Sequence, residues 1–174
     1  MPFQLRRRSD PRSLVLIAWV VTGLLAACGR ENTPAVAAAT VSTAEFQHLR
    51  WLEGRWRGTG GGIASFYEGY RWVDDSTIRK YDFADSTFAA PSDSGDIVLR
   101  GGTVRSQSPE RSYVVEALDS VSVRFAPERN AANGFEWRLT GPGAWTARLT
   151  WDSAGVARER VYEMRAYIPP GGSL

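Results

Sequence analysis

Glu68 alternates with Phe66, Tyr70 and Trp72 along Ile63–Val73, a stretch with the side-chain period of a strand. Three aromatics on that face make it an interior face, so Glu68 is carried among apolar groups, where an unpaired charge is very costly. Partners are available near the C-terminus, where Arg158, Arg160, Tyr162 and Met164 share one face of another alternating stretch. A guanidinium fork and a phenol can both donate to one carboxylate. Arg160 and Tyr162 are therefore expected to meet a ligand or to pair with Glu68, the alternative being a solvated Arg158/Arg160 row. The candidate ligand contacts are Glu68, Tyr70, Trp72, Trp137, Arg160 and Tyr162, within a lining completed by Phe66, Phe135, Trp145 and Trp151. An enzyme would need Glu68, with a raised pKa, as a general base inside the fold.

Other chemistry finds little support in the residue types. The single histidine, His48, lies outside the alternating stretches, so no Ser-His-Asp set can be assembled around a strand-borne base. Cys28 is the single cysteine, which excludes an internal disulfide and a thiolate metal cluster. Gly58-Thr59-Gly60-Gly61-Gly62 lacks the Lys-Ser/Thr of a phosphate loop and precedes a strand where a helix would be required. Asp74, Asp75, Asp93 and Asp96 lie in or beside turn-like breaks and Asp82 lies near a strand end; all five read as solvated, and their spacing gives a metal site no support. From Cys28 onward there are 17 basic and 18 acidic residues, a balance that gives nucleic acid no footing.

The elements that would position these residues are short and all-β. Strands are expected near Arg55–Thr59, Ile63–Val73, Thr77–Phe83, Asp96–Arg100, Thr103–Gln107, Ser112–Leu118, Val121–Ala126, Phe135–Thr140, Trp145–Trp151 and Val156–Tyr167. Turn signals such as Asp74-Asp75, Gly101-Gly102 and Gly141-Pro142-Gly143 separate them. About ten antiparallel strands joined mainly by tight turns make a meander, and closing it into an up-and-down barrel removes its exposed edges. Ala84–Gly95 is too long for a hairpin and is expected to be a surface loop or a lid. Ahead of the strands, Ser42 and Glu45 have capping-box spacing, and Phe46, Leu49 and Leu52 follow at helical intervals, which predicts a short helix ending near Gly54.

At the N-terminus, Arg6, Arg7, Arg8 and Arg12 precede the apolar run Ser13–Ala27, which is short for a membrane span of about 20 residues. Leu25-Ala26-Ala27-Cys28-Gly29 resembles the lipobox of bacterial lipoproteins. That resemblance implies a signal peptide over 1–27, lipid on Cys28, and a membrane as partner through that lipid. Glycine after the cysteine then implies outer-membrane delivery facing the periplasm in a Gram-negative host. Residues 28–41, polar and then alanine-rich, read as a tether reaching roughly 20 Å, ahead of a barrel domain over 42–174.

Trp51-Leu52-Glu53-Gly54-Arg55-Trp56-Arg57-Gly58 resembles the WLxGxWxG opening of uncharacterised bacterial lipocalin-like (calycin) domains and, more distantly, nitrobindin-type ten-stranded barrels. In the wider superfamily a late arginine packs across the opening tryptophan and closes the barrel end; the corresponding pair here is Trp56 and Arg165. Nitrobindin-like barrels ligate haem through a histidine near the C-terminus, and with His48 alone that haem site is not expected. Arg160-x-Tyr162 is similar to the pair with which fatty-acid-binding proteins hold a ligand carboxylate. Arg160 and Arg165 have opposite parity, however, so both point inward only if a bulge intervenes. The leading expectation is a non-enzymatic, membrane-anchored barrel for a small hydrophobic or amphipathic ligand. The alternative is a structural or interaction lipoprotein whose barrel is filled by its own side chains.

Overall fold

The computed structural model describes residues 37–168. Cys28, the run before it and the greater part of the expected tether lie outside the described residues. Ten strands form a closed antiparallel barrel in which each strand pairs with its sequence neighbours and the first pairs with the last. They are β1 (Gly54–Gly60), β2 (Phe66–Asp74), β3 (Thr77–Phe83), β4 (Pro91–Arg100) and β5 (Thr103–Gln107), followed by β6 (Ser112–Leu118), β7 (Ser122–Pro127), β8 (Asn133–Gly141), β9 (Ala144–Ser153) and β10 (Val156–Ala166). Closure leaves no unpaired edge, as the meander pattern requires.

One barrel end is plugged. Ser42 Oγ accepts the Glu45 N–H at 3.2 Å while Glu45 Oε2 accepts the Ser42 N–H at 2.8 Å, the reciprocal cap expected for a helix start. The cap opens one helical turn, α1 (Thr43–Phe46), which tightens into a 3-10 turn over Gln47–Leu52. Phe46, Leu49 and Leu52 project into the barrel and are completely buried. They rest on a packed layer that includes Ile78, Val104, Val115, Val123 and Trp145. Ala39 N–H donates to Val115 and Val41 N–H to Gly102, so contacts with the barrel begin within the expected tether, at the plugged end.

Two expectations about the chain between strands change. β4 begins at Pro91, so the last five residues of the expected Ala84–Gly95 break are strand, paired with β3 across a bulge at Asp82/Phe83. The run Pro-Ser-Asp-Ser-Gly has no apolar alternation because it edges the open mouth, and proline is tolerated as the first strand residue, where no ladder donor is needed. The remaining loop is not folded over the mouth. Phe88 is buried on the outer wall against Phe83 and Tyr67, with ring centroids at 4.8 and 5.7 Å. The strand expected from Val121 begins one residue later: Val121 precedes β7 and is exposed, whereas Val123 and Phe125 within it are buried on the inner face.

Candidate ligand-binding site

The barrel is packed in its plugged half and hollow in the other. A cavity of about 450 Å³ opens to solvent at the end away from α1, and its walls differ in chemistry. On the β8–β10 side it meets Phe135, Trp137, Ala147, Leu149, Tyr162 and Met164. On the β2–β4 side it meets Glu68, Lys80, Asp82 and Asp93, with Phe66 and Ile97 between the charges. Gly58 makes room for one of these groups: a Cβ at that position would lie 2.2 Å from the Phe66 ring. The absent side chain in β1 thus lets an aromatic ring from β2 lie across the lumen.

Glu68 is inside, as its alternation requires, but its partner is not in β10. Lys80 Nζ lies 3.0 Å from Glu68 Oε1 and 2.8 Å from Asp82 Oδ1, and Tyr70 donates its hydroxyl to Glu68 Oε2 at 2.7 Å. The antiparallel register explains the cluster, since Glu68 faces Asp82 and Tyr70 faces Lys80 across β2 and β3. Burial opposes the Lys80 charge, but the attraction of Glu68 and Asp82 outweighs it and holds the ammonium well above the ordinary lysine pKa. Burial, then the Glu68 charge and hydrogen bond, push the Tyr70 phenol well above its usual value. The arrangement therefore presents a fixed cation between two carboxylates and a neutral phenol.

The other sequence-predicted contacts divide by height in the barrel. Trp137 and Tyr162 border the cavity. Tyr70 reaches it only through Glu68, its ring packed edge-on against Trp137 and Trp145 at 5.7 and 6.1 Å. Trp72 lies under the plug, edge-on to Phe46 at 5.2 Å and beneath the Arg50 guanidinium at 4.2 Å. Trp145 is likewise core, against Trp51 and Trp56. Arg160 is exposed and stacks 5.9 Å from the Trp151 ring on the β9–β10 hairpin, so the Arg160–Tyr162 carboxylate clamp is not assembled.

Arg165 does not close the barrel. β10 pairs with β9 without a bulge from Val156 to Arg165, and strict alternation places Arg165 opposite Arg57 on the outer face. Its neighbours Met164 and Ala166 take the inner face instead. The Trp56 indole N–H is satisfied from the plug, donating to the Leu52 carbonyl at 2.7 Å.

Asp82 and Asp93, expected to be solvated, both border the cavity and are direct cross-strand partners. Lys80 was the available signal for this wall: the one lysine in the chain stands between Ile78 and Asp82 at strand spacing. His48 is exposed on the plug, and the described residues contain no group of three or more His, Cys, Asp or Glu placed to hold a metal ion.

No family model matches the chain, and no curated protein does. Among solved structures, a redesigned beta barrel aligns over 70% of this chain and 96% of its own at 10% identity, with a TM-score of 0.32. At that score the likeness carries no argument about function.

Proposed function

We propose that this protein is a membrane-anchored, lipocalin-like binding module that holds one small amphipathic molecule in its barrel and performs no chemistry on it. The observation that carries this reading is the 450 Å³ cavity, which exceeds the roughly 300 Å³ at which ligand sites usually begin. The aromatic β8–β9 wall supplies apolar surface, and the β2–β4 wall supplies fixed polar groups that would orient a ligand. Glu68, already tied to Lys80 and Tyr70, is committed as a hydrogen-bond acceptor, which favours binding over general-base catalysis. The packed lower half favours a structural role for that half alone.

The anchor reading rests on the basic flank, apolar run and Leu25–Gly29 box. Lipid on Cys28 would hold the protein to a membrane, the outer membrane facing the periplasm in a Gram-negative host. The chain joins the barrel at Ala39–Val41, beside the plug and at the end away from the mouth.

Two measurements test this. Mass spectrometry of solvent extracts from the purified full-length protein should find one small molecule absent from a cavity-filled variant, and an empty protein that takes up no hydrophobic probe would sink the binding reading. Cys28→Ala should abolish incorporation of labelled palmitate and release the protein from membranes. Unchanged labelling would refute the anchor.

A further inference from the structure

We infer that the cavity selects an organic cation, an ammonium or guanidinium carried on an apolar body, in preference to a fatty acid or other anion. This rests on the binding reading above and specifies its ligand class.

The charge distribution in the lumen is lopsided. Three carboxylates, Glu68, Asp82 and Asp93, border the β2–β4 side against the single ammonium of Lys80. Arg111, at the turn between β5 and β6, is the second cation on the cavity border and still leaves the lining net anionic. An anionic ligand would enter against that field, and its carboxylate would have to compete with Glu68 and Asp82 for Lys80.

The second observation is the register. Asp82 and Asp93 stand directly opposite each other on β3 and β4, a like-charge cross-strand pair that destabilises a sheet. Lys80 reaches Asp82, but among the described residues no lysine, arginine or histidine lies within ion-pair distance of Asp93. Asp93 Oδ1 accepts only the Ser94 N–H, at 2.7 Å. Both carboxylates border the same open cavity, so a ligand cation at the mouth would relieve the repulsion between them.

The third is the facing wall. Phe135 and Trp137 adjoin each other with ring centroids 5.2 Å apart, and Leu149, directly opposite Phe135 across β8 and β9, widens their surface. Aromatic faces attract cations as well as apolar groups. A molecule whose apolar body lies on Phe135, Trp137 and Leu149, with its cationic group toward Asp82 and Asp93, satisfies both walls at once.

The test uses three probes with one apolar body: 1-naphthylmethylammonium, 1-naphthalenemethanol and 1-naphthoate, titrated into the purified full-length protein by calorimetry. The ammonium should bind at least ten-fold more tightly than the alcohol, equivalent to about 1.4 kcal/mol, and the naphthoate most weakly. Asp82→Asn and Asp93→Asn should each lower the ammonium's affinity several-fold more than the alcohol's. Asp93 is exposed at the rim and does not touch Lys80, so its variant keeps the test intact if Asp82→Asn folds poorly. Equal affinities, or naphthoate binding most tightly, would overturn the cation class while leaving the binding reading standing. Failure of all three probes to bind would refute both.

Discussion

Replacing Lys80 by methionine removes the one cation that Glu68 and Asp82 share, while keeping most of the side-chain length. Removing one partner from a buried ion pair typically costs about 3–5 kcal/mol, because the other charge is left uncompensated. Here the side chains of Lys80 and Glu68 are 28% and 13% exposed, and that of Asp82 is 36% exposed, so water screens part of the loss. We expect Lys80→Met to destabilise the fold by about 2 kcal/mol at neutral pH. Most of that cost should be attributable to Glu68, so adding Glu68→Gln should restore part of it, with a coupling energy of at least about 1 kcal/mol. Denaturant unfolding followed by tryptophan fluorescence reads both quantities. A Lys80→Met cost below about 0.5 kcal/mol, or strict additivity with Glu68→Gln, would refute the cluster as a structural unit. The pH dependence has a definite sign. A group whose folded pKa is raised contributes stability that is fully present below its unfolded value and is lost as pH rises through the folded one. The Lys80 contribution should therefore be flat through neutral pH and decline only in strong alkali.

Other expectations follow from single contacts. Arg165→Ala should change stability by less than about 0.5 kcal/mol, as for an exposed side chain, whereas Trp56→Phe, which leaves the Leu52 carbonyl without its donor, should cost about 1–3 kcal/mol; thermal unfolding of both variants separates barrel closure by the plug from closure by arginine. Gly58→Val should cost about 1–3 kcal/mol by overpacking, since its Cβ would meet the Phe66 ring, and should shrink the cavity enough to weaken probe uptake. Hydrogen bonds from Arg105, and after them from Ser112, hold Glu128 below the ordinary glutamate pKa. Its contribution is thus present above the unfolded value and lost as pH falls through the lowered one, and Glu128→Gln should flatten that acid limb in pH-dependent unfolding.

The barrel was legible because alternation and turn chemistry are local. Phe135, Trp137 and Leu149 announce their face by period two, and Ser42 and Glu45 announce a cap, with no tertiary information needed. Height within the barrel was not legible. Trp72 and Trp145 share inward parity with Phe66 and Leu149, but register and the position of the plug decide that the first two are core and the second two border the cavity. Ion-pair choice was also beyond reach, because Glu68 meets Lys80 through the β2–β3 register and not through residue type. Arg165 shows the strength of parity as a constraint: an unbulged strand cannot turn both Arg160 and Arg165 inward, and here neither borders the cavity. Asp82 and Asp93 keep contact with solvent, as proximity to a turn signals, and also border the cavity, because in a barrel open at one end the strand ends are the mouth.

The binding reading is tested most directly by filling the cavity from within. Leu149 borders it on β9, and Leu149→Trp adds a ring to the lumen at a partly accessible position. Titration of the full-length protein with 1-naphthylmethylammonium should give saturable one-to-one binding that Leu149→Trp abolishes while circular dichroism and the unfolding transition are retained. Absence of saturable binding of this probe and of its alcohol and carboxylate counterparts to the parent protein, or binding that persists unchanged in the folded Leu149→Trp variant, would contradict a ligand site inside the barrel.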